Sequence, residues 1–204
     1  KLKDLKSRCG ELLVLDHHKT AMDDLSGFSN AVFDMKRSGC GITWDYFYPD
    51  RKRPLLVDYM EDRDLWNFKL KYSEEIFNYV TSYMYNFYTW DYLSHLLESD
   101  FDQCVREGKA IKRFIYQVIE NAINNSLMWV DLEGLSTPCI NITKEFGSVG
   151  CHELTKRFKV PYAIYLSFSS GKTFYGIRGD GSVDVSAIAK KFGGGGHRNA
   201  AGWQ

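Results

Sequence analysis

Leu12-Leu13-Val14-Leu15-Asp16-His17-His18-Lys19-Thr20 is the stretch that decides the fold class: an unbroken apolar run ending in an acid and two imidazoles. Without polar alternation, the Leu and Val residues predict a strand covered on both faces, as in a parallel α/β sheet. Ligands of such sheets gather beyond the carboxyl ends of the strands, where Asp16, His17 and His18 stand. Imidazole together with carboxylate suits manganese, iron or zinc rather than calcium. Taken alone, the same three residues also read as a polar turn after a strand.

Working outward, Leu2 and Leu5 among the lysines of residues 1–8 form the last turns of an amphipathic helix feeding this strand. After His18 comes a polar loop with Asp23, Asp24, Ser26 and Gly27, then a short strand over residues 31–33. Ser38 reads as the N-cap of a segment that Pro49 closes. Pro54 opens a helix that runs into Glu61-Asp62-Arg63-Asp64-Leu65-Trp66. Those four charges either face solvent or send a carboxylate into a cleft.

Residues 73–97 have a helical period rich in aromatics: Tyr79, Tyr83, Phe87 and Trp90, with Tyr85, Tyr88 and Tyr92 between. Aromatic faces can stack bases, but a stripe at this spacing is read as core, and His95 with it. Ser99 or Asp100 caps a long helix that residues 124–126 end. Beyond it the pattern changes to strands over 127–132, 139–143, 162–169 and 173–178, with helices over 149–158 and 183–192. A domain boundary is therefore placed near Ser126, giving domains 1–126 and 127–204. Cys151 and His152 are read as packing and surface rather than as a nucleophile and its base, because adjacent helical residues point apart.

Lys plus Arg equals Asp plus Glu at 26 each, so the whole-chain field does not hold a long nucleic acid by electrostatics. The five cysteines are scattered, odd in number and never spaced Cys-x-x-Cys, which fits a reducing cytoplasm better than a disulfide framework or structural zinc. No apolar run approaches the roughly 18 residues of a membrane span, and residues 1–8 are too charged for a signal peptide. A chain that begins at Lys1 is expected to be a piece of something longer.

The second informative stretch is Gly193-Gly194-Gly195-Gly196-His197-Arg198-Asn199-Ala200-Ala201-Gly202. Glycine lets backbone N–H groups approach an anion closely, and His197 and Arg198 supply charge-assisted donors, so the loop fits a phosphate. Together with Asp16-His17-His18, with Val183-Asp184-Val185-Ser186 and with the Ser38-Gly39 and 61–66 stretches, it resembles one family across nearly the whole chain. That family is the DHH phosphoesterases with a C-terminal DHH-associated domain.

The resemblance implies an α/β enzyme of two lobes. A parallel-sheet catalytic domain, incomplete at its N-terminal side, would carry the long connecting helix, and a smaller α/β domain would hold substrate across a cleft. It implies hydrolysis of phosphodiesters or phosphoanhydrides with two divalent ions, usually manganese, with magnesium or cobalt as substitutes. His17 and Asp62 would ligate an ion, Asp64 replacing Asp62 if the register shifts by two. His18 would face the substrate phosphate, Asp16 would orient an imidazole, and Arg178, Gly195, Gly196 and His197 would hold the far end of the substrate.

Two departures from the family pattern stand out. Gly179 follows Arg178 where the family commonly has Ser, and the family's first aspartate motifs have no counterpart before Leu12. This chain alone is therefore expected to be largely inactive. The expected substrate is a short oligonucleotide or a dinucleotide, making the protein a cytoplasmic phosphodiesterase or exonuclease. An exopolyphosphatase- or pyrophosphatase-like activity, and a non-catalytic nucleotide- or RNA-binding module, are the alternatives.

Overall fold

The computed structural model describes residues 2–204. It is a mixed α/β protein that divides into two compact units, the first ending at Arg113 and the second spanning Phe114–Gln204. Among the described residues, no helix is long and apolar enough to cross a membrane.

The first unit runs α1 (Leu2–Arg8), β1 (Val14–Asp16), α2 (Lys19–Asp24), β2 (Ala31–Phe33), α3 (Gly39–Phe47), α4 (Leu55–Asp64), α5 (Ser73–Thr81), α6 (Phe87–Ser99) and α7 (Phe101–Ser126), which continues into the second unit. Lys1, the first residue of the expected N-terminal helix, lies outside the described residues. β1 and β2 pair in parallel, with Val14 opposite Ala31 and Asp16 opposite Phe33. The strand is shorter than the apolar run and is not covered on both faces: Val14–Asp16 are half-buried, and Leu13 and Val32 are exposed. The core of this unit is helical instead. Tyr59 of α4, Ile76, Tyr79 and Val80 of α5, Leu93 and Leu97 of α6, and Cys104 and Val105 of α7 close on one another. The strand pair sits beside that core, with α3 packed against β1 and α4.

Two local expectations are corrected. The loop predicted after His18 coils at once into α2, with His18 at its N-cap in extended backbone. The predicted helix over 73–97 breaks at 82–86, where the Asn86 side chain accepts from Thr89 N at 2.9 Å and starts α6. A new helix start resets the phase, so the four-residue aromatic spacing no longer marks one face. Tyr79 is buried and Trp90 half-buried, but Tyr85, Phe87 and Tyr88 are 77%, 81% and 86% exposed. His95 also faces solvent rather than packing.

In the second unit the rest of α7 leads to β3 (Met128–Leu132), β4 (Leu135–Asn141), α8 (Lys144–Phe158), β5 (Tyr162–Ser169), β6 (Lys172–Gly179), α9 (Val185–Lys191), β7 (Gly195–His197) and β8 (Ala200–Trp203). The strands form one sheet in the order β3-β4-β5-β6-β8-β7, parallel between β4 and β5 and antiparallel elsewhere. Alternation along β5 feeds two cores. Tyr162 and Ile164 pack with Val185, Ile188 and Ala189 of α9, whereas Ala163 and Tyr165 pack with Cys151 and Leu154 of α8 and with Ile119 and Ile123 of α7. The latter half of α7 thus belongs to this sheet. That is why the units divide inside the helix, thirteen residues before Ser126, rather than at its end. Cys151 is fully buried in this core, with His152 half-buried beside it.

Candidate functional site

In the first unit the parallel pairing of β1 and β2 ends at Asp16, which delivers the two histidines to the carboxyl edge. The Asp16 carboxylate does three things at once. Its Oδ1 accepts from the backbone N–H groups of His17 at 2.7 Å and His18 at 3.2 Å, and meets His18 Nδ1 at 2.7 Å. Burial pushes the Asp16 carboxyl up, but the His18 ring and the two N–H groups outweigh it and hold the group below its ordinary value.

His17 is buried and turns the other way. Its Nε2 lies 3.3 Å from Oδ2 of Asp64, the last residue of α4, whose side chain is half exposed. The sequence had favoured Asp62 for this place. On a helix, positions two apart differ by about 200°, so only one of the pair can face β1. Asp62 is buried and turns to the chain that follows α4, where its Oδ1 accepts from Lys69 N at 3.0 Å and its Oδ2 from Leu70 N at 3.1 Å. Both Asp62 oxygens are thereby engaged in holding a loop in which Trp66, Phe68 and Tyr72 take left-handed backbone, at φ 58°, 50° and 66°. The Arg63 guanidinium stacks 4.0 Å from the Trp66 ring centroid and 4.7 Å from that of Phe77, which pins the same turn from outside.

A network that sequence reasoning missed fixes where α4 ends. Glu61 Oε2 accepts from Ser38 N at 2.8 Å and from the Ser38 hydroxyl at 3.1 Å, while that hydroxyl caps α3 by accepting from Gly41 N at 3.1 Å. Arg53 donates to Glu61 Oε1 at 2.7 Å and to Asp45 Oδ1 at 2.7 Å, and Arg37 donates to the other Asp45 oxygen at 2.9 Å. The signal was in the sequence as spacing. Glu61 is three residues before Asp64 on one helix face, and Ser38 is the cap already recognised.

In the second unit the glycine run is a hairpin rather than an open loop. β7 pairs with β8, with Gly195 opposite Gly202, Gly196 opposite Ala201 and His197 opposite Ala200. Gly196 has φ 147°, and a Cβ there would stand 2.4 Å from the Ala200 carbonyl oxygen, so this glycine is demanded by backbone packing. β7 is the edge of the sheet, so part of its backbone N–H row points away from β8. Arg178 lies on β6 opposite Ala200 of β8, with its guanidinium anchored at Nε and Nη1. Asp184 Oδ1 accepts from Ser186 N at 3.0 Å and opens α9, so that the helix expected over 183–192 begins at Val185.

No protein-family model matches the chain. Uncharacterized protein R106 of Acanthamoeba polyphaga mimivirus is 34% identical over 210 residues, covering 93% of this chain and 47% of that protein. The chain thus spans about half the length of the curated relative it matches. Among solved structures it is similar to an uncharacterized protein from Helicobacter pylori G27, at 16% identity and a TM-score of 0.32, covering 95% of this chain and 68% of that one. It is also similar to the pGpG-specific phosphodiesterase PggH from Vibrio cholerae, at 11% identity and a TM-score of 0.44, covering 84% and 69%. An exopolyphosphatase-related protein from Bacteroides fragilis gives 16% identity and a TM-score of 0.45, covering 86% and 54%.

Proposed function

We propose that this chain carries part of a metal-dependent phosphohydrolase of the DHH type, acting on short phosphodiesters such as dinucleotides or oligonucleotides of a few residues. The observation that carries the reading is the approach of His17 Nε2 to Asp64 Oδ2 at 3.3 Å, beyond the carboxyl end of β1. Two ligand atoms bound side by side to one ion at about 2.1 Å lie about 3 Å apart, so this pair fits a shared divalent cation. Nitrogen with carboxylate oxygen is a donor set suited to manganese. When bound, such an ion would supply positive charge for the phosphoryl oxygens and a water acidified toward a pKa of about 7.

The protein's own groups account for the rest. His17 and Asp64 hold the cation, and Asp62 keeps the end of α4 in place by gripping the following loop. Asp16 orients the His18 ring, which would face the substrate phosphate. In the second unit, Arg178 and the outward N–H groups of β7 give a phosphate a charged and a neutral set of donors. Balanced charge supports a short substrate, because long single strands generally need a basic groove.

The test is hydrolysis of a 5′-phosphorylated dinucleotide with and without manganese, using the complete protein that carries this chain and its His17→Ala and Asp64→Asn variants, with polyphosphate as competitor. Manganese-dependent turnover lost in both variants supports the reading. Undiminished turnover in both overturns it, competition by polyphosphate alone moves the substrate to phosphoanhydrides, and dinucleotide binding without turnover marks a binding module.

A further inference from the structure

The neighbourhood of Arg178 is built with more care than a surface arginine needs. On β6, Gly176 and Arg178 share a face, and Tyr165 of β5 stands opposite Gly176. The Tyr165 ring fills the space that two glycines leave. A Cβ at Gly176 would come within 2.0 Å of the ring, and one at Gly147 of α8 within 2.5 Å. Over this ring sits the Arg178 guanidinium, its Cζ 5.7 Å from the centroid.

Next to Gly147, Ser148 accepts from Arg178 Nε at 3.1 Å. Arg178 Nη1 donates to the carbonyls of Ile177 at 2.8 Å and Ala201 at 3.1 Å. Nε and Nη1 are thus committed to protein acceptors, and the Tyr165 hydroxyl also shares a side-chain hydrogen bond with Arg178. Burial pushes the Tyr165 phenol above its ordinary value, against the Arg178 charge, so the ring beneath the guanidinium is neutral.

We propose that Ser148 and Tyr165 are positioning residues that orient Arg178, so that the part of its guanidinium not held by protein acceptors faces a phosphate. This rests on the reading of Arg178 as an anion-binding residue and names the groups that make it one. An arginine whose side chain is already fixed gives up less rotamer freedom on binding than a mobile one.

The experiment is a titration of the metal-free full chain with 5′-AMP, followed by NMR at the Arg178 Nε–H signal. The wild type is expected to show a slowly exchanging Nε–H that shifts as 5′-AMP binds. Ser148→Ala loses that protection and weakens binding about tenfold; Ser148→Thr restores both. Tyr165→Leu weakens binding, and Tyr165→Phe, which keeps the ring but loses the hydroxyl contact to Arg178, weakens it less and keeps the comparison interpretable if the leucine variant unfolds. Wild-type affinity in both Ser148→Ala and Tyr165→Leu overturns the proposal alone. A wild type that keeps a protected Nε–H but binds no 5′-AMP overturns the anion-binding reading and the proposal with it.

Discussion

His17 and Asp64 face each other at 3.3 Å, and Asp62, two residues earlier on the same helix, faces away and binds the backbone of Lys69 and Leu70. Two carboxylates that look interchangeable in sequence have separate tasks. Asp64→Asn is expected to weaken manganese binding by more than about 100-fold, beyond the usual loss of an outer-shell partner, while leaving stability nearly unchanged. Asp62→Asn is expected to cost about 1–3 kcal/mol of stability, because an amide offers one acceptor where two N–H groups need one each. Manganese titration and thermal unfolding of both variants check the division. Loss of metal binding in Asp62→Asn with an intact fold would contradict it.

On the proposed reading, Asp16 would act on substrate through the His18 ring that it contacts. Asp16→Asn is therefore expected to lower turnover by about 10–100-fold with little change in manganese affinity, since His17 does not depend on that ring contact. Histidine-selective NMR of the variant should show His18 losing its fixed tautomer while His17 keeps its own. A parallel loss at both histidines would mean that Asp16 supports the backbone more than the ring.

The ion pairs behind the site give a pH signature. Hydrogen bonding from Arg53, opposed by burial and reinforced by Arg37, lowers the Asp45 carboxyl from 3.8 to about 2. A depressed carboxyl stabilises the fold fully above its unfolded value and loses that contribution as pH falls from about 4 through 2. Asp45 is about a third exposed, so its contribution at neutral pH is discounted for solvent screening to about 1 kcal/mol. Urea unfolding at pH 7 and at pH 3 should show Asp45→Asn less stable at the higher pH and closer to wild type at the lower. An equal deficit at both would rule out this ionic contribution.

Gly196→Ala places a methyl group 2.4 Å from the Ala200 oxygen at a φ of 147°. A loss of roughly 2 kcal/mol or more is expected, confined to the second unit. Differential scanning calorimetry would show it. A variant as stable as wild type would mean that the hairpin shifts to make room at little cost.

The aromatic residues of 73–97 separate by burial. Tyr79→Ala, at a fully buried position, should cost about 3–5 kcal/mol, whereas Tyr88→Ala, at 86% exposure, should stay within about 0.5 kcal/mol of wild type. Chemical unfolding of the pair tests whether the two residues belong to different surfaces.

How much of this was legible beforehand follows the range of the forces involved. Strands β5 and β6, the Ser38 cap and the period of α7 were readable because a few neighbouring residues decide them. The Asp16 contact to His18 was readable as a type of role but not as geometry. The choice between Asp62 and Asp64 was not readable, because it depends on which way α4 is rotated, and Ser38, Glu61 and Arg53 set that from three separate segments. The aromatic stripe misled for the same reason. Asn86 starts a new helix, and no periodicity count sees a phase reset caused by one side-chain cap. The hairpin at the glycine run was not readable either, since closeness to an anion and closeness to another strand make the same demand on the backbone.

Arg53 is shared by Asp45, Glu61 and, at 3.7 Å, Asp58. A cation serving three anions creates an asymmetry of tolerance. Any one carboxylate can be neutralised and the remaining two still have their counter-charge, whereas loss of the guanidinium strips Asp58 and Glu61 of theirs and leaves Asp45 with Arg37 alone. Variation among descendants of this chain should therefore be permissive at 45 and 58 and sparse at 53. Where 53 does change, the acids around it should change in the same lineage.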